Sequence, residues 1–357
     1  MNSQRPVVLV TGSSGLLGSA VCDRLRQTYE VVGFDRAGPP HAPEHVTAIE
    51  VDLSSHTSVH EAGERLRTHC ENRLAAVIHL AAYYDFSGEP SELYEQINVQ
   101  GTTRLLQALR GMTVDQFIYS SSMLVHAPTH PGIPITEAWP LRPTWDYPKS
   151  KVEAEELLRA GCDKTPLAIL RIAGIYDAHC HSIPLAHQIQ RIYERSITSR
   201  VFPGNLGHGQ SYVHLDDAVE AIWLTLEHRH QLPAQTTLLI GEADTVSYGE
   251  LQRIIARTLH GENWETRQIP KVMAKVGAWM QDHLPLGEDP FIKPWMIDLA
   301  DEHYELDITR ASTLLDWKPV YDLRRYLPFV LKTFLADPAR WYQDNHLPVP
   351  LDVDVSA

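Results

Sequence analysis

Pro6-Val7-Val8-Leu9-Val10 runs without interruption into Thr11-Gly12-Ser13-Ser14-Gly15-Leu16-Leu17-Gly18, and Ala20, Val21 and Leu25 then recur at helical spacing over Ser19 to Gln27. A short β-branched run reads as a buried parallel strand. A glycine loop between such a strand and a helix is built to receive a dinucleotide. Gly12 permits the tight turn, Gly15 lets backbone approach a pyrophosphate, and Gly18 lets helix pack on strand. The diphosphate then meets free N–H groups at the positive end of the helix. A second strand, Glu30-Val31-Val32-Gly33-Phe34, ends in Asp35, roughly 20 residues beyond the loop, where a carboxylate binds the ribose hydroxyls and repels a 2′-phosphate. NAD is therefore favoured, while the adjacent Arg36 leaves NADP open.

Tyr147-Pro148-Lys149-Ser150-Lys151 places a phenol and an amine on one face of a helix. A free tyrosine has a pKa of about 10 and is a poor base at neutral pH. A neighbouring ammonium favours the phenolate, so the pair is a candidate general acid/base in which Lys151 lowers the Tyr147 pKa.

These features and their order resemble the extended short-chain dehydrogenase/reductase superfamily, the branch called the NAD-dependent epimerase/dehydratase family. Asp52-Leu53 resembles its adenine-contacting pair, and Ala76-Val77-Ile78-His79-Leu80-Ala81-Ala82 its fourth strand. Asn98 resembles its structural asparagine, and Ser122, in Phe117-Ile118-Tyr119-Ser120-Ser121-Ser122, its catalytic serine. Leu167 to Tyr176 resembles its sixth strand, with Ile172 where a proline is usual. Ser211 to Val219 resembles the V-H-x-D-D helix entry, and Leu306 to Pro319 the closing segment, with Asp316 where glycine is usual.

The resemblance implies a Rossmann-type doubly wound parallel α/β sheet with a smaller, mostly helical C-terminal substrate lobe. Residues 1–175 and 208–242 would form the dinucleotide domain, 176–207 and 243–345 the lobe, and 346–357 a tail. It implies a Ser122-Tyr147-Lys151 catalytic set, with Lys151 also holding the nicotinamide ribose. Cofactor contacts would extend to Ser14, Leu16, Leu17, Leu80, Ala81, Ala82, Asn98, Ser120, Ile172, Gly174 and Ile175. A homodimer through the helices after Asn98 and around Tyr147 is implied as well.

Departures from the family pattern bear on the substrate. Family dehydratases carry Asp-Glu directly after the catalytic hydroxyl residue; here Met123-Leu124 cannot move protons. Family epimerases commonly carry an arginine four residues before the histidine of V-H-x-D, and here that position is Gln210. A diphosphate then lacks a strong charge-assisted anchor unless Arg191, Arg195, Arg200 or Arg267 replaces it. The expectation is an oxidoreductase acting on a small or apolar alcohol or carbonyl. A nucleotide-sugar epimerase with tightly held NAD is the alternative, and a non-catalytic dinucleotide sensor the third. Tyr83, Tyr84, Phe86, Trp139, Trp145 and Pro148 are candidate pocket residues, with Met123 and His181 beside them. His179-Cys180-His181, with His187 beyond, invites a zinc reading, but no paired set completes it and none is expected. Pro128 to Pro148 should be an ordered loop over the active site. Ser247-Tyr248-Gly249-Glu250 should cap a helix through about Leu259.

A net charge of −14 argues against nucleic acid and anionic membranes as partners, and leaves a small-molecule substrate. Four scattered cysteines suit free thiols in a reducing compartment. With no long apolar run, the chain reads as cytoplasmic.

Overall fold

A computed structural model describes residues 5–85, 90–272, 297 and 300–350. Its centre is a seven-stranded parallel sheet. In chain order the strands are β1 (Val7–Thr11), β2 (Glu30–Asp35), β3 (Thr47–Glu50), β4 (Ala76–His79), β5 (Phe117–Ser122), β6 (Leu167–Ile172) and, after β7 (Gly174–Tyr176) and β8 (Tyr212–His214), which lie outside the sheet, β9 (Gln235–Ile240). In space the order is β9-β6-β5-β4-β1-β2-β3. It reverses between β1 and β4, where Val8 pairs with Val31 on one side and Ala76 on the other. A doubly wound sheet opens its ligand crevice at such a switch, beyond the carboxyl ends of the strands.

Helices α1 (Leu16–Leu25), α2 (His56–His69), α3 (Gln100–Ala108), α4 (Asp146–Gly161) and α6 (Leu215–Glu227) flank the sheet, with α5 (Ile183–Tyr193) falling between α4 and α6 in the chain. Two cores result. One lies between the sheet and the α1/α6 side, with Val10, Ile78, Ile118 and Leu170; the other lies on the α2/α3/α4 side, with Leu9, Val77, Tyr119 and Ile169. The helix after the glycine loop begins at Leu16, three residues earlier than its apolar spacing suggests, because Gly15 caps it with backbone alone.

The run Leu167–Tyr176 is not one strand. Ala173 N–H bonds the Ile240 carbonyl as the last sheet contact, and Gly174 then turns to pair with Ser211. Gly174–Tyr176 (β7) joins Tyr212–His214 (β8) in a separate parallel pair.

A third core is built from α5, α7 (Tyr248–His260), α9 (Leu323–Ala336) and α10 (Pro338–Asp344), around Ile189, Ile255, Leu327 and Trp341. Ser247 caps α7 by accepting from Glu250 N–H, as the sequence predicts. Glu250 does not reciprocate; its carboxylate pairs with Arg324. Two assignments to the lobe and tail change. Residues 304–317, with α8 (Thr309–Leu315), pack into the sheet-side core through Tyr304, Leu306, Leu315 and Trp317. Leu347, expected in the tail, is buried in the third core, its N–H bonded to Tyr342.

Asp217 explains that docking. It carries two jobs, opening α6 and accepting from Val320 and Tyr321 N–H, while the Asp217 carbonyl takes the Trp317 indole N–H. The proline-rich segment is ordered against the same region, with Thr129 and Ile135 bridging to His303 and Leu306. Cys22, Cys70, Cys162 and Cys180 are free and buried. Among the described residues no helix is long and apolar enough to cross a membrane.

Candidate active site

The glycine loop fits a dinucleotide for reasons that differ at each glycine. Gly12 has φ +71°, and a Cβ there would lie 2.9 Å from Ala81 N; at Gly18 it would lie 1.9 Å from the Gly12 carbonyl. Those two glycines are demanded by the fold itself. Gly15 is not. A Cβ there would meet nothing closer than 3.5 Å, so the space it leaves lies open toward a ligand. With no side chain capping α1, its first N–H groups are available to an anion.

Asp35 closes over this loop, its carboxylate accepting from Ser14 N–H at 2.8 Å and Arg36 N–H at 2.8 Å. Arg36 itself is exposed. Asp52 is occupied with Ser54, and Leu53 is buried in the core. Leu17 packs against the core as well.

Beneath the loop runs a buried hydrogen-bond chain whose polarity is forced. Thr102 Oγ1 gives its proton to the Asn98 carbonyl and so accepts from His79 Nε2 at 2.9 Å. That leaves His79 Nδ1 of the neutral ring to accept from Thr11 Oγ1 at 2.7 Å, while Thr11 Oγ1 also accepts from Ala81 N–H at 3.1 Å. Burial, helped by Lys151, holds the His79 pKa down to about 3, so the ring is neutral. The chain fixes the Leu80–Ala82 backbone beside Gly12. Asn98 serves the same end. Its amide clamps Tyr83 N–H and C=O and reaches Ser150 Oγ at 2.9 Å, which uses both of its N–H donors.

The three serines at the end of β5 part in three directions. The Ser120 carbonyl accepts from Lys151 Nζ at 2.8 Å. Ser121 Oγ donates to Glu155 at 2.6 Å. Ser122 accepts from Leu124 N–H, and its hydroxyl is near enough to the Tyr147 phenol to lower the phenol's pKa. The sequence-predicted trio of Ser122, Tyr147 and Lys151 therefore meets. Lys151 Nζ lies 5.6 Å from the centre of the Tyr147 ring.

Electrostatics at the trio differs from expectation. Burial pushes the Tyr147 pKa well up, with Ser122 the only influence that lowers it. Lys151 is itself pushed down, to about 8, by desolvation, with Glu155 opposing. Glu155 is the buried counter-charge: burial works against its ionisation, but two Arg171 bonds at 3.0 and 2.7 Å, with Ser121 and Arg159, hold its pKa low. Sequence reasoning missed this Arg171–Glu155 pair, which lies behind the trio. The i,i+4 step from Lys151 to Glu155 was the available signal.

A cavity of about 620 Å³ opens over Ser122 and Tyr147, within the range that holds a drug-sized ligand. Leu16, Ser120, Ile172, Gly174 and Ile175 from the expected cofactor set line it, as do Met123, Tyr84, Trp145 and His181. The rings of Tyr84 and Trp145 stand 4.7 and 5.5 Å from Tyr147. Tyr83 is a correction: it packs edge-on against Tyr94 at 4.9 Å. Trp139 is another, since its indole N–H bonds the Ala127 carbonyl and its ring packs against the sheet-side core. Phe86 lies outside the described residues.

The rest of the lining includes Leu124, Ile183, Pro184, Phe202, Tyr212 and Leu251, with Gln188, Arg191 and Tyr248 among them. Gln210 lines the cavity where family epimerases commonly place an arginine. Arg195 pairs with Glu262, Arg200 lies over Trp264, and Arg267 sits on an exposed edge. Among the described residues Arg191 is the one lysine or arginine on the cavity wall.

Cys180 and His181 both adopt left-handed backbone, φ 80° and 42°. Cys180 is turned into the core, and His181 bonds Asp177 at 2.7 Å, which raises its pKa. His179 faces Asp344 at 3.7 Å. Among the described residues no group of three metal-ligating side chains assembles.

The sequence model of the NAD dependent epimerase/dehydratase family matches residues 8–241. UDP-glucose 4-epimerase of Erwinia amylovora is 27% identical over 284 residues, covering 71% of this chain and 83% of that protein. Human 3 beta-hydroxysteroid dehydrogenase type 7 is 29% identical over 270 residues, covering 67% of this chain and 68% of that protein. The crystal structure of Thermus thermophilus UDP-glucose 4-epimerase in complex with NAD superposes with a TM-score of 0.69 at 22% identity, over 92% of this chain and 99% of that one.

Proposed function

This chain belongs to the NAD-dependent epimerase/dehydratase family, and from that premise we propose that it is a dehydrogenase moving hydride between NAD and the carbinol carbon of a largely apolar alcohol or its ketone. The observation that carries the reading is the cavity wall. Beyond Ser122 and Tyr147 the lining is mostly aliphatic and aromatic, with a single guanidinium among the described residues. A nucleoside diphosphate asks for more positive charge than that. The likeness to human 3 beta-hydroxysteroid dehydrogenase type 7 points the same way.

The loop from Gly12 to Gly18 and the start of α1 would hold the NAD diphosphate, Asp35 the adenosine ribose, and Lys151 the nicotinamide ribose. NAD supplies the hydride acceptor, or the donor when reduced. During reduction Tyr147 gives its phenol proton to the carbonyl oxygen and is left as the phenolate. Oxidation is the reverse and needs Tyr147 as the phenolate, which the positive charge of oxidised NAD and of Lys151 would favour, to take the hydroxyl proton. Ser122 hydrogen-bonds that same oxygen. The raised pKa keeps Tyr147 a neutral phenol in the unliganded site, the state from which it protonates a carbonyl. Tyr84 and Trp145 shield the phenol from water.

A nucleotide-sugar epimerase is the second reading, favoured by the likeness to UDP-glucose 4-epimerase over 83% of that protein. One assay separates the two. Purified enzyme with NAD and a panel of apolar secondary alcohols should accumulate NADH and leave UDP-glucose unchanged. Conversion of UDP-glucose to its 4-epimer without net NADH would replace the dehydrogenase by the epimerase.

A further inference from the structure

We propose that the substrate carries an oxyanion, best matched by a single carboxylate, away from its reacting hydroxyl, and that Arg191 and Tyr248 receive it. The inference rests on the dehydrogenase reading and names the substrate class of the same cavity.

Gln188 and Arg191 stand one turn apart on α5, on one face, and both line the cavity. Gln188 is 4% exposed, and its Nε2 has no hydrogen-bond partner among the described residues. A buried amide N–H left unpaired is costly, but this nitrogen has almost no accessible surface of its own and lies beneath the wall rather than on it. Arg191 spends Nη2 on the Tyr248 hydroxyl at 3.1 Å and Nε on the His187 carbonyl at 3.4 Å. A guanidinium has five N–H donors, and no carboxylate pairs with this one among the described residues.

Tyr248 completes the set through a proton count. Its oxygen accepts from Arg191 and also from Gln252 Nε2 at 3.1 Å. The Gln252 amide cannot be turned round, because the same Nε2 donates to the Ser199 carbonyl at 3.3 Å. Both neighbours donate, so the Tyr248 proton must point elsewhere, and Tyr248 lines the cavity. Its ring is held by stacking on Phe202 at 3.8 Å, and its N–H by the His208 carbonyl. Arg191 and Tyr248 thus bring donors to the cavity wall with no acceptor between them, a pairing that suits an oxyanion.

The charge on that oxyanion is limited. His187, beside Arg191, is kept neutral by burial, its pKa near 4. His181, whose pKa is raised, is bonded to Asp177, which leaves Arg191 as the cation on this wall without a carboxylate partner among the described residues. Glu302 and Asp344 also line the cavity and oppose a multiply charged group. One carboxylate fits this balance better than a diphosphate. Leu124, Ile175, Phe202 and Leu251 line the same cavity and suit an apolar body.

The test compares a hydroxysteroid acid and a hydroxylated fatty acid, each beside its own methyl ester, in steady-state kinetics with the full-length enzyme and saturating NAD. The acids should show a KM about 10- to 100-fold below their esters with similar kcat, the span expected of a charge-assisted hydrogen-bond site. Arg191→Gln should shrink that acid-to-ester ratio to within about threefold, and Arg191→Lys should restore part of it. NAD titration of each variant verifies that the fold is retained. Equal KM for acid and ester in the wild type overturns the inference and leaves the dehydrogenase reading standing. A ratio that survives Arg191→Gln overturns it too. No NADH from either member of any pair removes the dehydrogenase reading itself, and the inference with it. Stabilisation by UDP-glucose that is lost in Arg191→Gln would hand the site to a diphosphate.

Discussion

Lys151 Nζ sits 2.8 Å from the Ser120 carbonyl oxygen, so the amine of α4 is tied to the carboxyl end of β5 rather than to the tyrosine one turn before it. The bond sets the distance between Tyr147, on the helix, and Ser122, on the strand. It also leaves a desolvated ammonium whose pKa has fallen to about 8, with Glu155 as its buried counter-charge.

The pH dependence of reduction follows from that amine. Below about pH 8 Lys151 is charged and Tyr147 is a neutral phenol, the combination that can protonate a carbonyl. The kcat/KM for ketone reduction should be level on the acid side and decline as pH rises through about 8. A profile flat to pH 10, roughly the pKa of an unperturbed lysine, would contradict this.

Gly15 separates ligand needs from folding needs. Gly15→Ala should leave the melting temperature within about 2 °C of wild type, since the new Cβ has room in the protein. NAD affinity should fall at least about tenfold, because the methyl occupies the approach of the diphosphate. Calorimetric titration with a thermal melt reads both; NAD affinity unchanged in Gly15→Ala would be inconsistent with the cofactor placement.

Glu242 offers a stability test away from the chemistry. Burial raises its pKa to about 7, while it accepts from Leu323 N–H at 2.9 Å and bonds the Tyr176 hydroxyl at 2.8 Å. The folded value exceeds the unfolded one, so the native state holds the extra proton between about pH 4.5 and 7. Stability should therefore decline as pH rises through that window, by at most about 3 kcal/mol from this group. Glu242→Gln should flatten the decline in urea titrations at pH 5 and 8. An identical decline in the variant would show that other groups set it.

Asp316 ends α8 in the left-handed region at φ 51°, where glycine carries no Cβ penalty. Asp316→Gly should stabilise the protein by about 1 kcal/mol, read as a small rise in denaturation midpoint. A fall would mean that the aspartate side chain earns its place by some other contact.

The strands were legible because β-branched runs that alternate with helical spacing can hardly do anything else. The trio Ser122, Tyr147 and Lys151 was legible from spacing together with family likeness. What escaped depended on distant packing. Nothing local distinguishes Tyr83, edge-on to Tyr94, from Tyr84, edge-on to Tyr147. Gly174 breaks the sixth strand only because Ser211 waits to pair with it. The Tyr147 pKa was misjudged in direction, since spacing reveals a neighbouring charge and not the desolvation of both groups. Arg191 and Tyr248 meet across two helices 57 residues apart, a contact no periodicity announces.

Replacing Tyr147 by phenylalanine tests the central claim most directly. The ring keeps its packing against Tyr84 and Trp145, and only the hydroxyl is lost. Turnover of an apolar secondary alcohol with NAD should fall by about 10²- to 10⁴-fold, with NAD affinity within about threefold of wild type. Turnover retained at the wild-type rate, with NAD still bound, would contradict proton transfer by Tyr147 and with it the account of this site.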